Sequence, residues 1–242
     1  MTTTTGAVRL VDLELYGGED PREQPWYTFP DAARATGIPA STLRSWVVGQ
    51  TYARKRDRGY FEPIIRRPSC DDPRLSFTNL IEAHVLRALR TVHDVVLDHI
   101  REAIDLAERE FGIERLLISP DLRTAAGQLF LDRYTDLLEL TSAQQLVMRS
   151  VLEQYLERVR FDESRLPAEF TPFERSPRNQ GRRFIALSPF VSFGKPILKS
   201  TGVSTQAVVQ RLEVGEPIDV VMADYELSEE EIEEAVLYEA AA

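Results

Sequence analysis

Gly37 divides what would otherwise be one helix, and this break constrains the chain more than any other feature. Residues 27–50 read YTFPDAARATGIPASTLRSWVVGQ. Pro30 suits the first turn of a helix, where its missing N–H is not needed, and Ala32, Ala33 and Ala35 continue it. Beyond Gly37, Ile38 is an apolar plug. Leu43, Trp46 and Val47 then recur at the spacing of one helical face, leaving Ser41, Thr42, Arg44 and Ser45 outside. Two short helices around a glycine-containing turn predict a helix-turn-helix, whose second helix enters the major groove of DNA. There, hydroxyl and guanidinium side chains can reach phosphates or base edges.

The next stretch, TYARKRDRGYFEPIIRR, sets Tyr52 and the Tyr60-Phe61 pair on either side of a charged tip. Strand, turn, strand is the natural reading. Arg54, Lys55, Arg56 and Arg58 on that tip would act as a wing, gripping phosphates and adding affinity with little sequence information. The DNA-binding residues expected are therefore Ser41, Thr42, Arg44, Ser45, Arg54, Lys55, Arg56 and Arg58. A formal net charge of -10 looks wrong for such a protein, but the charge is unevenly spread. From Pro30 to Arg90 there are eleven Lys/Arg against six Asp/Glu, and the remainder holds eighteen against thirty-three. A basic head is joined to an acidic body.

The run ARATGIPASTLRSW resembles the start of a MerR-type winged helix-turn-helix, with Leu43-Arg44 placed as in that family and Trp46 near its usual tyrosine. The resemblance implies DNA contacts from Arg44 and the basic tip. The chain does not continue into that family's simple dimerisation helix and effector domain.

The middle of the chain, residues 75–175, is predicted to be a mixed α/β scaffold or dimerisation region. A helical stripe runs from Leu75 to Arg109 through Leu80, Ala83, His84, Leu86, Leu97, Ile100 and Ile104, with Ser76 or Thr78 as its cap and a break near Val92. LLIS, QLFLDRY and TDLLEL read as short strands, Ser142 to Val159 as helix, and Arg158 to Phe161 and Glu169 to Phe173 as strands. His84, His93 and His99 lie near Asp94, Asp98 and Glu102, but histidines nine and six residues apart do not share the i,i+3 or i,i+4 face that a helical metal site needs. No nucleophile elbow, phosphate loop or dinucleotide fingerprint is present. No enzyme activity, metal or cofactor is expected. One cysteine, Cys70, excludes an internal disulfide, and with no long apolar run the expectation is a cytoplasmic protein that does not span a membrane.

SPRNQGRR, residues 176–183, has the composition of a linker, and a compact module is expected after it at 184–242. Phe184 to Leu187 reads as a strand, Ser204 caps a helix through Leu212, Gly215 ends it, and Pro217 opens another. Ser228 with Glu231 forms a capping box for the last helix. The segment from Phe193 to Ala240 resembles a small three-helix domain of unknown function that is widespread in antitoxins. Its matching positions are Gly194-Lys195-Pro196-Ile197, Thr201-Gly202-Val203, Gly215, Asp224-Tyr225, Leu227-Ser228, Ile232 and Ala235 through Tyr238; the family's Gly-Thr-Arg is Ser200-Thr201-Gly202 here.

Head, middle and tail in this order resemble a VapB-type antitoxin of a type II toxin-antitoxin pair. The fold class expected is α+β and mostly helical: an N-terminal segment (1–26), a winged helix-turn-helix (27–74), the mixed middle and the three-helix module. The resemblance implies a PIN-like ribonuclease toxin as partner, operator double-stranded DNA as ligand, autoregulation of the operon and a homodimer. Glu229, Glu230, Glu233 and Glu234 are the residues expected to meet a cationic toxin. The alternative reading is a stand-alone MerR-like regulator with a ligand-binding middle.

Overall fold

Local chemistry sets each boundary in the computed structural model, which describes residues 17–53, 58–91, 97–123, 127–128, 130–133 and 142–241. The Thr28 hydroxyl accepts a hydrogen bond from the Asp31 N–H, and the Asp31 carboxylate accepts from the Thr28 N–H, so a reciprocal box opens α1 (Phe29–Thr36). Gly37 ends it at φ +67°, a left-handed conformation that costs a residue without a Cβ little, and its N–H donates to the Ala33 carbonyl at 2.8 Å. α2 (Ala40–Val48) follows after three residues, and the antiparallel hairpin of β1 (Gln50–Ala53) and β2 (Arg58–Phe61) comes directly behind it. Then come α3 (Phe77–Thr91), α4 (Leu97–Phe111), α5 (Ser142–Leu156), β3 (Val159–Phe161), β4 (Pro167–Phe170), β5 (Ile185–Ala186), β6 (Ile197–Leu198), α6 (Thr205–Glu213), α7 (Ile218–Tyr225) and α8 (Glu229–Ala240). The fold is α+β and mostly helical, with the helix-turn-helix region at the N-terminal end.

Two compact units form. Ser41–Arg67 and Thr78–Pro167 make the first; residues 17–40, Pro68–Phe77 and Ala168–Ala242 make the second. In the first, α4 buries Ile100, Ala103, Ile104 and Ala107, a spacing of 3, 1 and 3 that keeps one face inward, while α5 buries Met148, Leu152, Tyr155 and Leu156. α3 adds Leu80, Ile81, Leu86 and Leu89, together with His84, which is fully buried. The break expected near Val92 falls in residues 92–96, outside the described ones.

Two of the strands expected in the middle are helical instead. Leu116–Ile118 is a turn of 3-10 helix with all three side chains buried, which a strand with alternating faces could not achieve against a single core. Residues 127–128 and 130–133 of the QLFLDRY region are helical as well. Gly127, Phe130 and Leu131 are the buried positions, at helical rather than alternating spacing. TDLLEL, residues 135–140, lies outside the described residues.

The core of the C-terminal part of the second unit is built from Ile185, Leu198, Val208, Val221, Leu227, Ile232, Ala235 and Tyr238. Ser204 caps α6 by accepting from the Ala207 N–H at 3.2 Å. Ser228 and Glu231 cap α8 reciprocally, the Ser228 N–H donating to the Glu231 carboxylate at 2.8 Å. Replacing Ser228 with Ala removes the hydroxyl half of this box and lowers stability by about 1 kcal/mol, read as a lower urea midpoint at unchanged slope. Among the described residues, no helix is long and apolar enough to cross a membrane.

Candidate nucleic-acid interface and acidic module

α2 separates its two faces cleanly. Leu43, Trp46 and Val47 are 0%, 2% and 3% exposed, while Ser41 and Arg44 are exposed and Thr42 and Ser45 half-buried. The inner face is fixed from the chain that follows: the Trp46 carbonyl accepts from the N–H groups of Ile64 and Ile65 at 2.9 and 3.0 Å, and the Arg90 guanidinium lies 5.7 Å from the Trp46 ring centroid. Gly49, at φ +82°, turns the chain from α2 into the hairpin. The Tyr60 hydroxyl then donates to the Val48 carbonyl at 3.0 Å, tying the second strand to the end of the helix.

Pairing runs from Gln50 opposite Phe61 to Ala53 opposite Arg58, so Arg58 opens β2. Arg54, Lys55 and Arg56, expected on a basic tip, lie outside the described residues. Ser41–Ser45 of α2 and the hairpin that follows it lie in one unit, tied by the Tyr60 hydroxyl bond, in the order in which a recognition helix and a wing are used.

α1 is fixed within the second unit. The backbone of Tyr27 pairs with that of Leu75 in both directions, at 2.9 and 2.7 Å, and its hydroxyl donates to the Gly194 carbonyl at 2.8 Å. Arg34 on α1 pairs with Glu239 on α8, and the Arg175 guanidinium donates to the Arg34 carbonyl at 2.5 Å. The partners of the Tyr27 hydroxyl and of Arg34 stand more than 140 residues away in the chain, and no local motif signals them.

The four glutamates expected to meet a toxin differ in exposure. Glu229 is exposed and Glu230 half-buried beside Arg182 at 3.6 Å, whereas Glu233 accepts from the Ser176 hydroxyl at 3.1 Å. Glu234 is 2% exposed. Its carboxylate accepts from the N–H groups of Arg175 and Ser176, the latter at 3.1 Å, and from the Asn179 amide, also at 3.1 Å. The physical reason is register: Glu234 stands beside Ala235 and two positions from Ile232, on the face that packs inward. The stretch expected as a linker is the other side of this contact, with Ser176 and Asn179 buried.

The outer acidity comes mostly from earlier positions. Residues 205–241 hold eleven carboxylates against the single Arg211, and Glu213, Asp219, Asp224, Glu226 and Glu229 are exposed. Val214, Ile218 and Val220 lie among them at 78%, 44% and 40% exposure. Of the histidines, His84 has its ring Nε2 at 2.9 Å from the Tyr155 carbonyl inside the first unit, and His93 lies outside the described residues. Among the described residues no group of three His, Cys, Asp or Glu side chains is placed to hold a metal ion.

The architecture defined by these elements is a helix-turn-helix DNA-binding head with a small acidic helical module at the C-terminal end. Residues 25–104 match the family described as "Putative DNA-binding HTH domain", and residues 185–238 match a protein family of unknown function, DUF433. The chain is similar to "Putative antitoxin VapB45" of Mycobacterium tuberculosis, 27% identical over 230 residues that cover 88% of this chain and 92% of that protein. The crystal structure of Rv2018 from Mycobacterium tuberculosis has the same fold, with a TM-score of 0.65 at 24% identity over 88% of this chain and 98% of that one. The two family matches and the relative together fit a VapB-type antitoxin with a helix-turn-helix head.

Proposed function

We propose that this protein is a cytoplasmic antitoxin that binds and neutralises a cognate PIN-like ribonuclease toxin and represses its own operon by binding operator DNA as a homodimer. The observation that carries the DNA half is α2, with Leu43, Trp46 and Val47 buried behind an exposed Ser41 and Arg44 and with the hairpin attached at its end. Paired heads would set the Ser41–Ser45 helices into successive major-groove half-sites, and Arg54, Lys55, Arg56 and Arg58 would grip phosphates. The toxin half is supported by the antitoxin relative, which matches over most of the chain, and by the acidic module. A ribonuclease that handles polyanionic RNA presents a cationic surface, and the exposed carboxylates around Val214, Ile218 and Val220 complement it, with Glu229 and Glu230 at the edge. No catalytic step is required of this chain.

Coexpression of the full-length tagged chain with the adjacent reading frame tests the toxin half. Recovery of a small ribonuclease-like protein, reduced by Asp219→Lys with Glu229→Lys, supports it; recovery of no partner overturns it. Operator binding is measured against salt. The logarithm of affinity falls steeply with the logarithm of salt, and neutralising one wing arginine reduces the slope by about 1. Arg44→Ala weakens specific binding by about 10- to 100-fold, and an unchanged affinity would remove α2 from the interface.

A further inference from the structure

Within the second unit lies a cavity of about 400 Å³ whose lining includes Trp26, Tyr27, Arg34, Phe193, Lys195 and Tyr238. Its rim is shaped by an unusual backbone. Ser192, Phe193 and Gly194 stand consecutively at φ +50°, +53° and +76°, and two of the three carry a Cβ that this conformation disfavours. The result is a phenyl ring 61% exposed, set edge-on to Trp26 at 6.2 Å between centroids. Gly194 permits the close approach of that loop: a Cβ there would sit 2.3 Å from the Tyr27 hydroxyl oxygen and 2.9 Å from Trp26 Cε3.

The polar groups of the cavity are unequally satisfied. Glu239 uses both oxygens, one for Arg34 and one for the Thr205 hydroxyl, and Asp31 is engaged in the cap of α1. The groups left open are donors. Tyr238 is 2% exposed, and its hydroxyl has no hydrogen-bond partner among the described residues; burial, and next the nearby Glu239, hold it protonated. Arg34 Nε is buried with no partner, and the exposed Lys195 ammonium has no ion pair among the described residues. A buried donor without an acceptor, such as Arg34 Nε, is uncommon in folded proteins, and its place in the lining of an aromatic-walled cavity beside the Tyr238 hydroxyl and Lys195 points to a ligand.

We propose that this cavity binds a compact apolar carboxylate, with its body against Trp26 and Phe193 and its carboxylate accepting from Tyr238, Arg34 and Lys195. One negative charge matches one uncompensated Lys195, whereas the fixed carboxylates of Asp31 and Glu239 oppose a second. A free small acid and the terminal carboxylate of an apolar-ended chain present the same group. This site does not depend on the antitoxin reading.

Phenylacetate is titrated into the full-length ¹⁵N-labelled protein, following the two indole N–H cross-peaks, with Trp26→Phe identifying which is which. Phenylacetate shifts the Trp26 signal saturably and leaves that of Trp46 in place, while phenylacetamide and acetate, which lack the charge or the body, bind at least tenfold more weakly. Tyr238→Phe and, on the exposed side, Lys195→Ala each raise the Kd about tenfold at unchanged amide dispersion. The tetrapeptide Gly-Gly-Gly-Phe with a free carboxylate is run beside phenylacetate; whichever binds more tightly identifies the source, and either supports the site. Absence of a Trp26 shift with both probes, equal binding of the acid and the amide, or binding indifferent to both substitutions overturns the proposal.

Discussion

Acidifying the protein from pH 7 to pH 4 removes about 3 kcal/mol of folding stability through one buried side chain, His84. The ring is fully buried, its Nε2–H donates to the Tyr155 carbonyl at 2.9 Å, and the Tyr155 ring packs 4.7 Å away. Burial lowers the imidazole pKa to about 3; the Tyr155 carbonyl opposes this, and Arg158 and Arg87 reinforce it. In the unfolded chain the same group titrates near 6.5. Between these values the unfolded state takes up a proton that the folded state refuses, so stability is complete above pH 6.5 and falls by about 1.4 kcal/mol per pH unit toward pH 3. Urea unfolding at pH 7, 5.5 and 4 measures the slope, and His84→Gln, which cannot titrate, isolates the contribution of this residue. A variant that loses stability with acid as steeply as the parent would refute the assignment.

Glu234→Ala lowers stability by about 3 to 5 kcal/mol, the cost of leaving buried partners without their charged acceptor. Three donors lose it together: the N–H groups of Arg175 and Ser176 and the amide of Asn179. Glu234→Gln retains an acceptor oxygen and costs less. The loss is read from the urea midpoint, and hydrogen exchange at the Ser176 amide reports whether this anchor has opened. A change under about 0.5 kcal/mol would mean that the segment is held by other groups.

Local pattern carried the head and the caps. Leu43, Trp46 and Val47 announce an inner face because three and four residues make one turn, and Ser228 with Glu231 announces a helix start because both halves of the box lie within four residues. Pattern failed where tertiary burial decides. Three apolar residues in a row at Leu116–Ile118 fit a strand or a tight turn equally, and only the surrounding core selects the turn. Composition misled at Glu234, which looks like one more surface acid in a run of glutamates and is instead enclosed by a segment almost 60 residues upstream. The cavity was illegible for the same reason: Arg34, Phe193 and Tyr238 converge only once the chain has folded.

The bond from Arg34 to Glu239 bears on how lesions in the gene are to be read. Glu239 stands 205 residues from Arg34, yet the helix that it steadies is the first of the helix-turn-helix. A premature stop codon that spares the whole recognition helix still strips α1 of its carboxylate partner and, if it falls before Gly194, of the carbonyl that holds Tyr27. A nonsense allele anywhere before Glu239 is therefore an injury to α1 as well, and a loss of DNA binding does not by itself locate the damage.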